Sequence, residues 1–492
     1  MTNHETDEDR TGRKRPTWCA GPWESFVFCG IAAIIIYQLF VPPIIGVADN
    51  GDYHRVMGPL GLEPTVTEWS DCYFDHVNRQ YRFGSTLEAA FPTSQVLLGK
   101  AALAVSGAVA KGDHFDLTVL GGVNTAVYLL GIYLILLHFS SLSPAARIIG
   151  GVFLTLMATD VSNVSFFNSF YSESASLIFL TLMIGVFLTI NRQARIRAWH
   201  ILGFFFIAAF FVAAKPQNHP LAVPVVLIAG VWLWRKTRTV DLLAFAAGGL
   251  ALLVFAGYLY SSVPDQIKYY NRWNVLFYSI LADSPDPRAD LSELDLEPDL
   301  AAYAGRSAFE EGVPVLEVGG DFNHADLTKF LMKHPLRFVS LASDCAQQIY
   351  VKIDPLNGHF EKSSGIPARQ QSRDFSQWHK FQDAGLPHSL GWLAFLTIVL
   401  AGGVGFIIFR HGPAGSEGGL AWLAAGLGIM AAMEFGICVL GDGTYDIVKH
   451  LFLFQVLLDA CFLVGVIWLA GRIGEVVQKL VKGPEKQSPA PK

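Results

Sequence analysis

The sequence predicts an all-α polytopic membrane protein of about ten transmembrane helices, carrying a large, mostly helical extracytoplasmic insertion. Three observations predict it. Hydrophobic residues make up 52% of the 492 and charged residues only 16%, whereas charges run near a quarter in soluble domains. Apolar stretches close to the ~20 residues that cross a bilayer recur along the chain. Lys and Arg collect on every second connection, as cytoplasmic loops do. The balance of 36 Lys+Arg against 42 Asp+Glu leaves a formal charge of −6. With no basic stripe, that balance argues against nucleic-acid binding. The apolar content and six cysteines exclude a disordered chain or a small disulfide scaffold. Repeats with a period of 20–50 residues are absent, which excludes a solenoid. The apolar runs are continuous rather than alternating, which excludes a β-barrel.

The elements follow in order. Residues 1–23 form a mixed-charge tail expected to be disordered and cytoplasmic. The first span, Phe26–Ile45, lacks a small-residue cleavage site and reads as a retained anchor. Further spans are expected at Leu117–Phe139, Ile148–Asp160, Ser174–Ile190, Ile201–Ala214 and Leu221–Trp234. Four more follow at Leu242–Tyr260, Leu390–Arg410, Leu420–Leu440 and Leu451–Arg472. Basic residues sit in the tail (Arg10, Arg13, Lys14, Arg15) and at Arg147, Arg192–Arg197, Arg235–Arg238, Arg410 and Arg472–Lys482. Placing them all inside requires ten spans with both termini cytoplasmic. The chain then divides into the tail, an N-terminal transmembrane module 24–260 with an extracytoplasmic loop 46–116, an extracytoplasmic insertion 261–389, C-terminal helices 390–472 and a cytoplasmic tail 473–492. Ser94–Ala110 is apolar but contains Lys100, so it is expected to lie along the outer interface rather than span. Cys72 and Cys345 fall one in each outer segment, and sequence leaves open whether they pair.

The chemistry-bearing residues gather on the outer side. Asp49-Asn50-Gly51-Asp52-Tyr53-His54-Arg55 follows the first span at the boundary of lipid and water. Two carboxylates separated by Asn-Gly suit a tight turn presenting both acids to one site. A carboxylate there suits removal of a proton from a sugar hydroxyl, or helps to hold a divalent cation. An Asx/Gly turn that caps a helix is the plain alternative. His54 and Arg55 are candidates to hold an anion such as a lipid phosphate. The other short outer turns carry Tyr171 and Glu173; Lys215, Gln217 and His219; and Asp442, Asp446 and Lys449. Glu434 and Asp459 lie inside spans, where an ionisable group costs about 2.5–3.5 kcal/mol on insertion and therefore faces a cavity or a partner. The sequence has no Gly-rich phosphate loop, Cys-x-x-Cys pair, His-Glu-x-x-His or Gly-x-Ser-x-Gly. ATP-driven transport, zinc proteolysis and serine hydrolysis lose support accordingly.

The spans, the large first outer loop and the Asp49-Asn50-Gly51-Asp52 stretch resemble the GT-C superfamily of polyprenyl-phosphate-sugar glycosyltransferases. The chain also resembles a bacterial family of polytopic proteins named for secretion of a glycan structural polymer. That likeness rests on Ala48–Asp52, Asn274-Val275-Leu276-Phe277-Tyr278 with Ala304-Gly305, and Ile349-Tyr350-Val351-Lys352-Ile353. The GT-C resemblance implies that Asp49 or Asp52 acts as base on the acceptor, or in binding a divalent cation. Paired acids in that superfamily are often adjacent or one residue apart, and the intervening Asn-Gly here leaves open which aspartate serves.

The function implied is a glycosyltransferase of the bacterial inner membrane, moving sugar from a polyprenyl-phosphate donor to a glycan or lipid-linked acceptor outside. His54, Arg55, Lys215, His219 and Lys449 are its candidate donor-phosphate ligands, and the 261–389 insertion its acceptor-binding segment. A polysaccharide transporter or flippase, relying on Glu434 or Asp459, is the rival reading. A glycan polymerase is the third.

Overall fold

A computed structural model describes residues 20–482 apart from 67, 86–90, 110–112, 194, 235–237, 354 and 414–415. Residues 1–19 of the expected disordered tail, the basic residues Arg235 and Lys236, and residues 483–492 lie outside the described part.

Ten helices stand where ten spans are expected. They are α1 (Pro22–Phe40), α2 (Leu117–Phe139), α3 (Pro144–Ala158), α4 (Glu173–Asn191) and α5 (Ala198–Val212). The rest are α6 (Ala222–Gly230), α7 (Thr239–Ser261), α8 (Leu390–His411), α9 (Ser416–Gly441) and α10 (Phe452–Lys482). Seven of them are long and apolar enough to cross a membrane, and α3 with the bent segment Val161–Asn168 makes an eighth. The shortest is α6, and α3 and α5 follow at 15 residues each. At 1.5 Å per residue α5 reaches about 22 Å, short of the ~30 Å hydrocarbon core. The chain is a helical polytopic membrane protein.

Capping chemistry sets several helix starts. The Asp116 carboxylate accepts from Thr118 N–H at 2.9 Å at the head of α2, and Ser389 accepts from Trp392 N–H at 3.2 Å before α8. Ser143 caps α3 with Pro144 at its first position. That helix therefore begins at Pro144 rather than at Ile148, where hydropathy alone would start it. At the other end of the chain α10 continues to Lys482, past Arg472 where the span was expected to finish.

The tightest helix pairing is α2 against α4. A Cβ on Gly131 would stand 2.9 Å from the Leu182 amide nitrogen, and one on Gly185 would stand 2.9 Å from the Gly131 carbonyl oxygen. Small residues are what allow backbones to approach this closely in lipid. Arg147 clamps α3 to α1 through a two-pronged ion pair with the buried Glu24, at 2.7 and 2.9 Å. The intramembrane acids differ. Asp459 on α10 is neutralised by Lys352 of the 261–389 segment and accepts from the Gln382 amide at 2.9 Å. Glu434 on α9 is fully buried, and neither of its oxygens has a hydrogen-bond partner among the described residues.

The two long polar segments join into one body at one end of the bundle. Strand β1 (Ile45–Val47) pairs antiparallel with β5 (Asn357–Phe360), Ile45 opposite Phe360. A second small sheet has the order β2 (Leu62–Pro64), β3 (Gln80–Phe83), β4 (His114–Asp116). Three or four residues per strand leave too short an alternation to be read from sequence, so neither sheet was expected. Ion pairs Lys362–Asp71 and Arg369–Asp75 (2.8 Å) add to the joint. Ser94–Val109 is one helix that packs on α2 and α4 and keeps Lys100 exposed. Cys72 and Cys345 are free thiols. Cys72 donates to the Val66 carbonyl at 3.2 Å and Cys345 to that of Gly443 at 3.5 Å.

Candidate active site at the polar end of the bundle

The loop leaving β1 winds through two Asx turns. Asp49 Oδ1 accepts from the N–H of Gly51 (2.7 Å) and of Tyr53 (3.1 Å), and Asn50 Oδ1 accepts from Asp52 N–H at 3.2 Å. Gly51 takes φ +105°, which a residue with a Cβ rarely adopts. Tyr171, arriving from the turn before α4, braces the loop. Its hydroxyl accepts from Asn50 N–H at 2.9 Å and lies 2.7 Å from Asn50 Oδ1.

The two aspartates end in opposite electrostatic states. Asp49 is only 7% exposed and lines a cleft of about 440 Å³ together with His54, Glu63 and Tyr73. Burial pushes its carboxyl up to about 7, against the pull of the two N–H bonds. Asp52 is also pushed up by burial, but the charges of Lys449 and Arg55 outweigh this and hold it well below the usual carboxylate range. Lys449 Nζ stands 2.7 Å from Asp52 Oδ2, and Arg55 stands 2.8 Å from Oδ1. Lys449 is buried, yet Asp52 foremost among its acidic neighbours keeps its ammonium charged above the ordinary lysine range. The same Nζ sits 4.5 Å from the centre of the Tyr171 ring and 4.0 Å from Asp446.

Around this pair stand the other candidates. Lys215 binds the buried Glu173 at 2.7 Å and acts electrostatically on Asp52. Asp446, at φ +46°, heads the short helix Ile447–His450, and burial raises its carboxyl. Asp442 accepts from the Asn274 amide at 2.8 Å and meets His450 at 2.8 Å. His54 is exposed, its ring nitrogen against the Gly51 carbonyl, on the wall of the Asp49 cleft. His219 is buried, and neither ring nitrogen has a hydrogen-bond partner among the described residues; burial lowers its imidazole to about 4. Gln217 reaches Cys438 Sγ at 3.6 Å instead of an acid.

The fold therefore brings Asp49, Asp52, Arg55, Lys449, Tyr171 and Asp446 together from three separate parts of the chain, with Glu173–Lys215 alongside. His450 and Asn274 were not singled out by sequence reasoning. His450 was passed over beside Lys449, and Asn274 stood out only within a stretch of family likeness. A divalent cation finds a poor donor set here. Among the described residues no group of three or more His, Cys, Asp or Glu is arranged to hold a metal ion. Both Asp52 oxygens are taken by cationic side chains.

Residues 14–488 match the family described as YfdI N-terminal transmembrane domain. The chain belongs to that family. No curated protein matches this YfdI-family chain. Two solved structures, both of Archaeoglobus fulgidus proteins, are similar to it. One is a crystal structure of the oligosaccharyltransferase tethered through a disulfide bond to an acceptor peptide containing the NVT sequon. It has 12% identity and a TM-score of 0.39, covering 96% of this chain and 53% of that one. The other is the oligosaccharyltransferase AglB in complex with an inhibitory peptide and a dolichol-phosphate. It has 13% identity and a TM-score of 0.40, covering 95% and 52%. The YfdI-family chain thus spans about half the length of those proteins, and likeness at these scores carries no argument about mechanism.

Proposed function

We propose that this YfdI-family protein is a membrane glycosyltransferase that moves a sugar from a polyprenyl-phosphate donor to a glycan or lipid-linked acceptor on the outer face of a bacterial inner membrane. The observation that carries the reading is the split pair: Asp49 poised near neutrality on a cleft, and Asp52 three residues on, locked ionised between Lys449 and Arg55.

In this reading Asp49 is the general base. Its carboxylate takes the proton of an acceptor hydroxyl, and the hydroxyl oxygen attacks the anomeric carbon of the donor sugar with inversion. The bond from that carbon to the phosphate oxygen breaks, and its electron pair leaves with the polyprenyl phosphate. Asp52 does not touch the reacting atoms; it holds Lys449 and Arg55 in place. Those cations, with Lys215 behind them, meet the charge developing on the leaving phosphate. A base whose affinity for protons lies near ambient pH is the effective kind. No step is routed through a divalent cation, given the donor set.

The test compares wild-type, Asp49→Asn and Asp52→Asn proteins in proteoliposomes supplied with a panel of undecaprenyl-phosphate hexoses. Asp49→Asn should lower kcat by about 10²- to 10⁴-fold, the usual worth of a positioned base. Asp52→Asn should lose less and should raise KM for the donor. Unchanged transfer in both variants overturns the assignment.

One observation favours a rival. Glu434, fully buried in α9 and without a hydrogen-bond partner among the described residues, is the kind of intramembrane acid a transporter would use. On that reading Glu434→Gln abolishes glycan translocation and the aspartate variants do not.

A further inference from the structure

A second cleft, of about 570 Å³, opens in the 261–389 segment, within the range of small-molecule sites. Its lining includes Tyr278, Asp283, Ser340, Asp344 and Thr444 over an apolar floor at Ile280 and Leu341. An aromatic face, hydroxyls and carboxylates over an apolar floor match the chemistry of a sugar, which offers many hydroxyl donors and an apolar ring face. Carboxylates accept from such hydroxyls, and serine or threonine can do either. Neither Asp283 nor Asp344 forms an ion pair among the described residues; Asp344 Oδ1 accepts from the Gln347 amide at 3.3 Å, which leaves its other oxygen and the Asp283 carboxylate for a sugar hydroxyl.

The cleft is physically tied to the candidate active site. The turn Asp442–Asp446 belongs to both. At one end it supplies Asp446, 4.0 Å from Lys449, which pairs with Asp52. At its centre Thr444 enters the second cleft, its N–H donating to Ser279 Oγ at 2.9 Å and its hydroxyl 3.1 Å from the same atom. Gly443, at φ +65°, permits that approach, since a Cβ there would stand 2.2 Å from Ser279 Oγ. Asn274 fastens the turn through Asp442 at 2.8 Å. Asn274 also opens a π-helix, Asn274–Ile280, a rare conformation frequent at functional sites. Tyr445 of the turn stands edge-on to Tyr278 and stacks on Phe309, each 5.4 Å away, so an aromatic surface runs from the cleft toward the turn.

We propose that this cleft is a carbohydrate subsite for the acceptor glycan, and that the Asp442–Asp446 turn registers the bound glycan against Asp49 and Asp52. The inference rests on the transferase reading for its role, but not for its existence as a sugar site.

The experiment has a binding arm and a transfer arm, on the full chain. Saturation-transfer NMR in detergent probes maltotriose, mannotriose and chitotriose. At least one should receive saturation from wild type, fall at least fivefold with Tyr278→Ala and with Asp344→Ala, and recover with Tyr278→Phe. In proteoliposomes the same alanine variants should raise KM for that trisaccharide at least fivefold and leave KM for the undecaprenyl-phosphate hexose unchanged. Binding by no trisaccharide, or binding and transfer unaltered in the variants, overturns the subsite while leaving the transferase untouched. A rise in donor KM instead assigns the cleft to the donor sugar and overturns the acceptor assignment. Variant-sensitive binding without transfer from any donor upholds the sugar site and removes the transferase.

Discussion

Asp49 and Asp52 are three residues apart and chemically opposite, because one is buried against two amides and the other is half-buried between two cations. Pairs of acids whose surroundings drive them apart mark acid–base assignments in enzymes generally. The consequence for rate has a definite sign. A base is active when deprotonated, so transfer should be weak in acid, rise as pH passes about 7 with Asp49, and level off above. Burial is the main cause of that position, and the charge of Asp52 adds to it. Removing Asp52 by Asp52→Asn therefore moves the acidic limb of the residual kcat/KM profile to lower pH. A limb that stays in place, or is missing in wild type, would detach Asp49 from the proton transfer. At this scale the sequence was informative up to a point. The Asp-Asn-Gly-Asp spacing marks a turn with two acids. It cannot say which acid meets Lys449, almost four hundred positions away, and that contact decides the division of labour.

At the scale of elements, the polar insertion is tied to the membrane helices by the buried Lys352–Asp459 ion pair, beside the buried His379–Asp160 contact at 2.8 Å. Lys352 precedes β5 and reaches Asp459 on α10, with Gln382 on the other carboxylate oxygen. Both charges are almost fully buried. Breaking such a pair from one side leaves a lone buried charge and costs about 3–5 kcal/mol, whereas replacing both partners by apolar groups of similar size is often nearly neutral. Lys352→Met should thus lower the detergent-solubilised protein's Tm markedly, and Lys352→Met with Asp459→Leu should recover most of the loss. Equal losses in single and double variants would mean the pair contributes something other than mutual neutralisation. Asp459 was legible as an acid in need of a partner, from its place in an apolar run. Lys352 was not, because its neighbours Ile349–Ile353 carry no sign of being buried against a helix. The same holds for α3, whose start depends on Ser143 and Pro144 rather than on hydropathy.

On the scale of the molecule, β1 and β5 join segments more than 300 positions apart, and Lys362–Asp71 and Arg369–Asp75 reinforce the joint. Strand pairing requires direct backbone contact, so 46–116 and 261–389 must lie on the same side of the bilayer. The alternation of basic loops reached the same arrangement by an unrelated route, from charge. The two constraints are independent: one counts Lys and Arg, the other concerns hydrogen bonds between strands. The strand pairing obliges an even number of crossings between the two segments; the charge pattern alone predicts an odd number before the first segment and the opposite side for the Arg192–Arg197 connection. In a cysteine-free background, single cysteines at Glu68 and Gly312 should react with a membrane-impermeant maleimide in intact cells, and one at Arg197 only after permeabilisation. Reaction at Glu68 and Gly312 only after permeabilisation, with Arg197 open, would keep the strand pairing but invert the protein and move the candidate site to the cytoplasm, where nucleotide-sugars become available as donors. Labelling that separates Glu68 from Gly312 would break the β1–β5 contact, and with it the arrangement that sets Asp49 beside the insertion.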